Sequence, residues 1–193
     1  MPKRLERHKR HYNSTKLAYL DDTYILSAPN RALAAYNDVT TTLRNHTGIE
    51  PNLGKTVCWN KAGLEPLGIT TLGDGVWKGN EPAVTNGVRL LGAPIGQPEY
   101  IENFGIARIT DFATLRDNAL KVDALQYAWL LTYYCVVPRV NHLLRQVPPD
   151  LVETTAQRHD TFTLDTLQQL LGTTELDEKT QLQAKLPRYD KQV

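Results

Sequence analysis

The stretch Lys16-Leu17-Ala18-Tyr19-Leu20-Asp21-Asp22-Thr23-Tyr24-Ile25-Leu26 decides how the rest of this chain is read. Two short β-rich runs, Lys16 to Tyr19 and Thr23 to Leu26, flank Leu20-Asp21-Asp22, so they are expected to pair as antiparallel strands around a tight turn. That turn carries two adjacent carboxylates. Like charges a few ångströms apart raise each other's pKa unless a cation sits beside them. Mg²⁺, a hard ion that takes oxygen ligands and keeps several of its waters, relieves the repulsion. A solvated Asp-Asp turn is the plain alternative.

Outward on the N-terminal side, residues 1–14 hold Lys3, Arg4, Arg7, Lys9 and Arg10 against Glu6 and lack apolar periodicity. They read as a basic flexible arm able to hold a phosphate backbone, or as a solubilising extension. On the other side Leu33, Tyr36, Val39 and Leu43 recur at helical spacing, which predicts a helix over 31–46 with Asn30 as cap and Gly48 as terminator. After the breakers Gly48 to Asn52, Val57 and Trp59 alternate with Thr56 and Cys58, predicting a half-buried strand over 55–59 in the hairpin's own sheet. Residues 60–86 read as a long connection, and 88–91 as a short strand stopped at Gly92-Ala93-Pro94. Beyond 109 glycine is scarce, and helices are expected over 111–122, 124–136, 140–145 and 151–171. Leu130, Leu131, Tyr134, Val137, Leu143 and Leu144 are expected to form the core there. The fold class is therefore α+β: a sheet with a packed helix over 15–98, an all-α subdomain over 106–172, and a polar tail over 173–193 that frays.

Composition agrees with one core plus a helical appendage: 193 residues, 41% hydrophobic and 22% charged. The net charge of +1 excludes a uniform polycation, so nucleic-acid affinity has to come from local clusters. Cys58 and Cys135 are the only cysteines, which excludes a disulfide scaffold and a thiolate zinc site and favours a reducing compartment. No apolar run approaches the roughly 18 residues of a membrane span, and the first residues lack the apolar stretch of a signal peptide. A soluble intracellular protein, nuclear or cytoplasmic and away from membranes, is expected.

The hairpin segment resembles motif C of the reverse-transcriptase palm, particularly that of non-LTR retrotransposons, in which an aromatic-x-Asp-Asp turn is flanked by apolar strands. Gly48-Ile49-Glu50-Pro51-Asn52-Leu53-Gly54-Lys55-Thr56 is similar to motif D. Val88-Arg89-Leu90-Leu91-Gly92-Ala93-Pro94-Ile95-Gly96 is similar to motif E, the primer grip. Pro138 to Arg145 with Pro148-Pro149 resembles the thumb-side continuation, so the likeness covers roughly 16–190. The resemblance implies a partial polymerase palm followed by thumb-like helices, and template-directed nucleotidyl transfer as an RNA-directed DNA polymerase. It implies Asp21 as the Mg²⁺ or Mn²⁺ ligand, Asp22 as the neighbour that completes or tunes the site, and Lys55 as the cation that meets departing pyrophosphate. Tyr19, Leu91 and Gly92, with the basic arm, would contact an RNA or DNA primer-template.

The family places a further catalytic Asp on motif A and a glycine-rich motif B ahead of the hairpin, yet no Asp precedes Tyr19 in this sequence. The expectation is a retroelement fragment with an incomplete metal site, inactive alone and open to self-association through palm surface that the fingers would cover. A non-catalytic nucleic-acid-binding or protein-interaction module that keeps the Asp-Asp hairpin as a relic is the competing reading. His8 and His11 could be half of a metal site, but no second pair lies near them. Trp59, Trp77 and Trp129 are expected in the core rather than stacked on bases.

Overall fold

A computed structural model of the chain describes residues 14–19 and 22–185. The basic arm, His8, His11, Asp21 and the residues beyond Lys185 lie outside the described residues. Two units are present, one ending at Asn80 and one beginning at Glu81. Among the described residues no helix is long and apolar enough to cross a membrane.

In the first unit β1 (Ser14–Tyr19) and β2 (Asp22–Ser27) form an antiparallel pair, with Ser14 opposite Ser27 and Tyr19 opposite Asp22. A 3-10 turn at Pro29–Arg31 leads into α1 (Ala32–Thr47). Asn30 does not cap this helix: it lies inside the preceding turn, and Arg31 takes the cap position without a side-chain bond. Gly48 does terminate it, in the left-handed conformation at φ 70°, its N–H donating to the Arg44 carbonyl. That backbone suits a residue without Cβ.

The strand expected over 55–59 does not join the hairpin's sheet, which among the described residues contains β1 and β2 alone. Leu53–Lys55 is a 3-10 turn whose first N–H groups are met by Asn52: its side-chain oxygen accepts from Gly54 N–H at 3.0 Å. Turn chemistry at Asn52 and Gly54 thus outweighs the alternation that follows. Cys58 pairs instead with Trp77, donating to the Val76 carbonyl and accepting from Lys78 N–H. Val57 is left exposed, while Cys58 packs against Ile69, Val76 and Trp77, the core of this unit. The connection over 60–86 is tied down locally, as where Asn60 binds both backbone groups of Leu64.

The second unit opens with β3 (Gly87–Leu90) and β4 (Ala93–Gly96), an antiparallel hairpin linked by Leu91 and Gly92. The chain does not stop at Pro94, which sits within β4 opposite Arg89, a position a two-stranded sheet tolerates because no further strand needs its missing N–H. Pro98, where the expected sheet region ends, is the first residue of α2 (Pro98–Leu120), where its missing N–H costs nothing. The hairpin packs on this helix: the Tyr100 ring fills the space where side chains at Gly87 and Gly96 would stand.

Next come α3 (Leu125–Leu131), a π turn over Thr132–Val136, a 3-10 turn over Val137–Val140 and α4 (Asn141–Gln146). Pro138 has no N–H, and its ring crowds the carbonyl four residues back, so a regular helix cannot run through this stretch. The inward row is Ala128, Thr132, Val136 and Val140, none more than 2% exposed. The larger Leu130, Leu131 and Tyr134, expected in the core, face outward, and the core beside Val136 and Val140 is filled by Phe112 and Phe162 instead. α5 (Pro149–Leu171) closes the unit against α2. The contacts of Gly105 with Thr155 and of Arg116 with Phe162 advance together, so the two helices run parallel. Gly172 ends α5 at φ 65°. Part of the tail expected to fray is α6 (Glu178–Lys185), begun by Asp177, whose carboxylate accepts from Thr180 N–H at 2.9 Å.

Candidate functional site

The β1–β2 register sorts the hairpin into two faces. Opposed residues of an antiparallel pair share a side, so Lys16 with Ile25 and Ala18 with Thr23 lie on one face, and Leu17 with Tyr24, Thr15 with Leu26, and Asp22 on the other. α1 packs against β2 and covers the first face, where Lys16 Nζ binds the Asp38 carboxylate at 2.5 Å. Leu17, Asp22 and Leu26 are exposed on the second. Asp22 Oδ2 accepts a hydrogen bond from the Tyr24 hydroxyl at 2.9 Å, a neighbour two residues along the same face.

Asp21 lies outside the described residues, so the acidic pair is seen through Asp22 and through the backbone pairing of Tyr19 with it. Lys55 is exposed at the end of its 3-10 turn and does not enter the hairpin's sheet. Leu91 and Gly92 form the link of the second hairpin, with φ of 48° and 88°. A Cβ at Gly92 would lie 3.0 Å from His142 Nε2, so the link rests on α4. Of the tryptophans expected in the core, Trp77 is buried in the first unit and Trp59 is half-buried, but Trp129 is not core: it is exposed, its ring beside that of Tyr133 with the centroids 6.0 Å apart.

Two ion pairs near the candidate segments carry no local sequence signal. Lys16 and Asp38 are brought together only when α1 folds back on the hairpin. Arg44 reaches past the Gly48 turn to grip Glu50 with two bonds of 2.5 and 2.8 Å, which fixes the start of the segment leading to Lys55. The Arg44 bond holds the Glu50 carboxyl below its ordinary range and raises the guanidinium in return.

A divalent ion needs several oxygen donors in one place. Among the described residues there is no group of three or more His, Cys, Asp or Glu side chains so placed. Asp22, exposed and hydrogen-bonded to a phenol, can offer a carboxylate oxygen, and the adjacent strand β1 adds no acidic side chain. These donors do not fit a two-metal centre by themselves. No protein-family model, curated protein or solved structure matches this chain.

Proposed function

We propose that this chain is the palm-and-thumb portion of a reverse-transcriptase-like polymerase from a retroelement, and that these residues alone do not extend a primer. The observation that carries the reading is the β1–β2 hairpin: Tyr19 pairs with Asp22 across the two linking residues, and a helix covers only the opposite face. Such a face leaves the acidic end open to a metal-bound triphosphate and to nucleic acid. Further support comes from the order along the chain, with a fastened Gly48-to-Lys55 turn, then a tight β hairpin at Leu91-Gly92, then helices. Phosphoryl transfer depends chiefly on positioning and charge stabilisation, so a palm holding only one of its carboxylate strands binds a cation weakly and turns nothing over. The cations at Lys3, Arg4, Arg7, Lys9 and Arg10 would add sequence-independent affinity for a primer-template that falls steeply with salt.

Mn²⁺ titration followed by paramagnetic broadening of backbone amide signals tests the reading. Broadening centred on Tyr19 to Tyr24 and abolished in Asp21→Ala is the expected result; no selective broadening rejects a metal role for the hairpin.

One observation favours the second reading, a non-catalytic nucleic-acid-binding or protein-interaction module with a relic hairpin. Lys55, the cation the resemblance would place beside the leaving group, stands outside the hairpin's sheet. Under that reading primer-template binding is unchanged by chelating divalent metal and by Asp21→Ala.

A further inference from the structure

The second unit contains one buried ionisable side chain among its described residues that the proposed function does not use. His159 of α5 is 6% exposed, and its Nε2 is buried without a hydrogen-bond partner. Its ring packs against Phe162, the centroids 6.4 Å apart. One turn earlier on the same helix Thr155 Oγ1 is also buried and unpaired, pressed against Gly105 of α2.

We infer that His159 is an acid-sensitive latch: protonating its ring opens the packing of α5 against α2 and the segment that follows the π turn. A neutral imidazole tolerates one unpaired acceptor in an apolar setting. An imidazolium adds a charge and a second N–H donor, and that donor meets no acceptor where Nε2 lies.

The surrounding charges offer little relief. On α2, Arg108 is paired with Asp111 and Arg116 with Asp117, and Arg116 lies over Phe162, the ring beside His159. Arg139 of the 137–140 turn lies over Phe112, in the same core cluster as Phe162. α3 carries no charged residue, its one titratable group being Tyr127, which is exposed; α4 carries His142 and Arg145, and α6 carries Glu178, Lys179 and Lys185. On α5 itself Arg158 and Asp160 flank the histidine, both exposed. Burial pushes the His159 imidazole below its ordinary value and outweighs the Asp160 carboxylate and a backbone hydrogen bond toward Val137, which pull it upward.

Because the folded state keeps this ring neutral to lower pH than the unfolded chain does, the unfolded state binds more protons between the two values. The stabilisation is complete above the ordinary imidazole value of about 6.5 and is lost as pH falls below it. Val137 directly follows the π turn, which places the irregular helical stretch from Thr132 to Val140 at the point where the latch releases.

Urea unfolding of the full chain at pH about 7.5 and about 5.5 tests this, using the unaltered chain, His159→Gln and His142→Gln as a control. The midpoint is expected to fall on acidification for the unaltered chain and His142→Gln, and to fall much less for His159→Gln. Equal falls in all three overturn the latch. Should His159→Gln not fold, the imidazole Cε1 proton NMR titration of the unaltered chain decides. A His159 signal that titrates below about pH 6.5, with loss of second-unit dispersion, upholds the proposal, and titration at or above that value, or titration with that dispersion kept, refutes it.

Discussion

Gly105 of α2 and Thr155 of α5 meet so closely that a Cβ at position 105 would stand 2.1 Å from Thr155 Oγ1 and 3.0 Å from its Cβ. Thr155 Oγ1 moves with χ1, but the side chain has no exposure at all and its Cβ does not move, so rotation about χ1 relieves the overlap only in part. Gly105→Ala sets two effects against each other. Helix propensity favours alanine by about 1 kcal/mol, whereas forcing an extra carbon into a packed helix contact costs typically 1–3 kcal/mol. Here the overlap involves Thr155 Cβ, so the helices have to separate and the cost wins. A lowered unfolding midpoint for Gly105→Ala is the expected outcome, and partial recovery in Gly105→Ala with Thr155→Ala would locate the cause in this contact.

Leu91 is the one non-glycine residue with positive φ among the described residues, at 48°. Left-handed backbone costs an L-residue roughly 1–2 kcal/mol, and two-residue hairpin links with positive φ at both positions favour Asn-Gly. Leu91 is about half exposed, so little burial is lost on replacing it. Leu91→Asn is therefore expected to stabilise the second unit by roughly 0.5–1 kcal/mol in urea unfolding. If the primer-grip reading holds, the same change weakens primer-template binding. A destabilised Leu91→Asn would show that the leucine side chain, and not the turn, holds the hairpin in place.

Glu50 is held ionised by Arg44. A folded-state pKa below the unfolded value makes the carboxylate's contribution complete above about pH 4.3 and lost as pH falls through the folded value. Both partners are exposed, so the effect on global stability is small. A carboxyl NMR titration should place Glu50 below the ordinary glutamate value, and Arg44→Met should return it there. No movement in Arg44→Met would mean that the pair does not persist in solution.

Purified chain is expected to incorporate no nucleotide above a no-protein control with Mg²⁺ or Mn²⁺ on any primer-template. Two-metal transfer needs carboxylates from neighbouring strands, and β1 supplies none to face Asp22. Asp38, the next carboxylate after the hairpin, is committed to Lys16 on the covered face of the hairpin. Template-dependent incorporation that disappears in Asp21→Ala would contradict this and would require a carboxylate from another chain.

Deleting residues 2–11 should lower affinity for RNA or DNA at low salt and flatten its salt dependence, because those positions carry five of the chain's cations. Unchanged affinity in a filter-binding or anisotropy titration would assign the arm no part in binding.

The features legible in the sequence are those decided within a few residues. Alternation on either side of Asp21-Asp22 specifies the hairpin, 3.6-residue periodicity with Gly48 specifies α1 and its end, and glycine-poor apolar periodicity specifies the helical second half. Each depends on local sterics and on amphipathic spacing, which a short window contains. The fate of 55–59 was not legible, because a capping bond from Asn52 and a partner at Trp77 compete with a strand pattern that looks the same in either outcome. Nor could spacing reveal that Ala128, Thr132, Val136 and Val140 face inward while Leu130 and Leu131 do not. That choice belongs to the π turn and to how closely α2 and α5 approach, as do the burial of His159 and the need for glycine at 105. The Lys16–Asp38 pair likewise exists only once a helix lies across the hairpin. Such contacts join residues distant along the chain, and their energies depend on shape and distance, which tertiary packing alone sets.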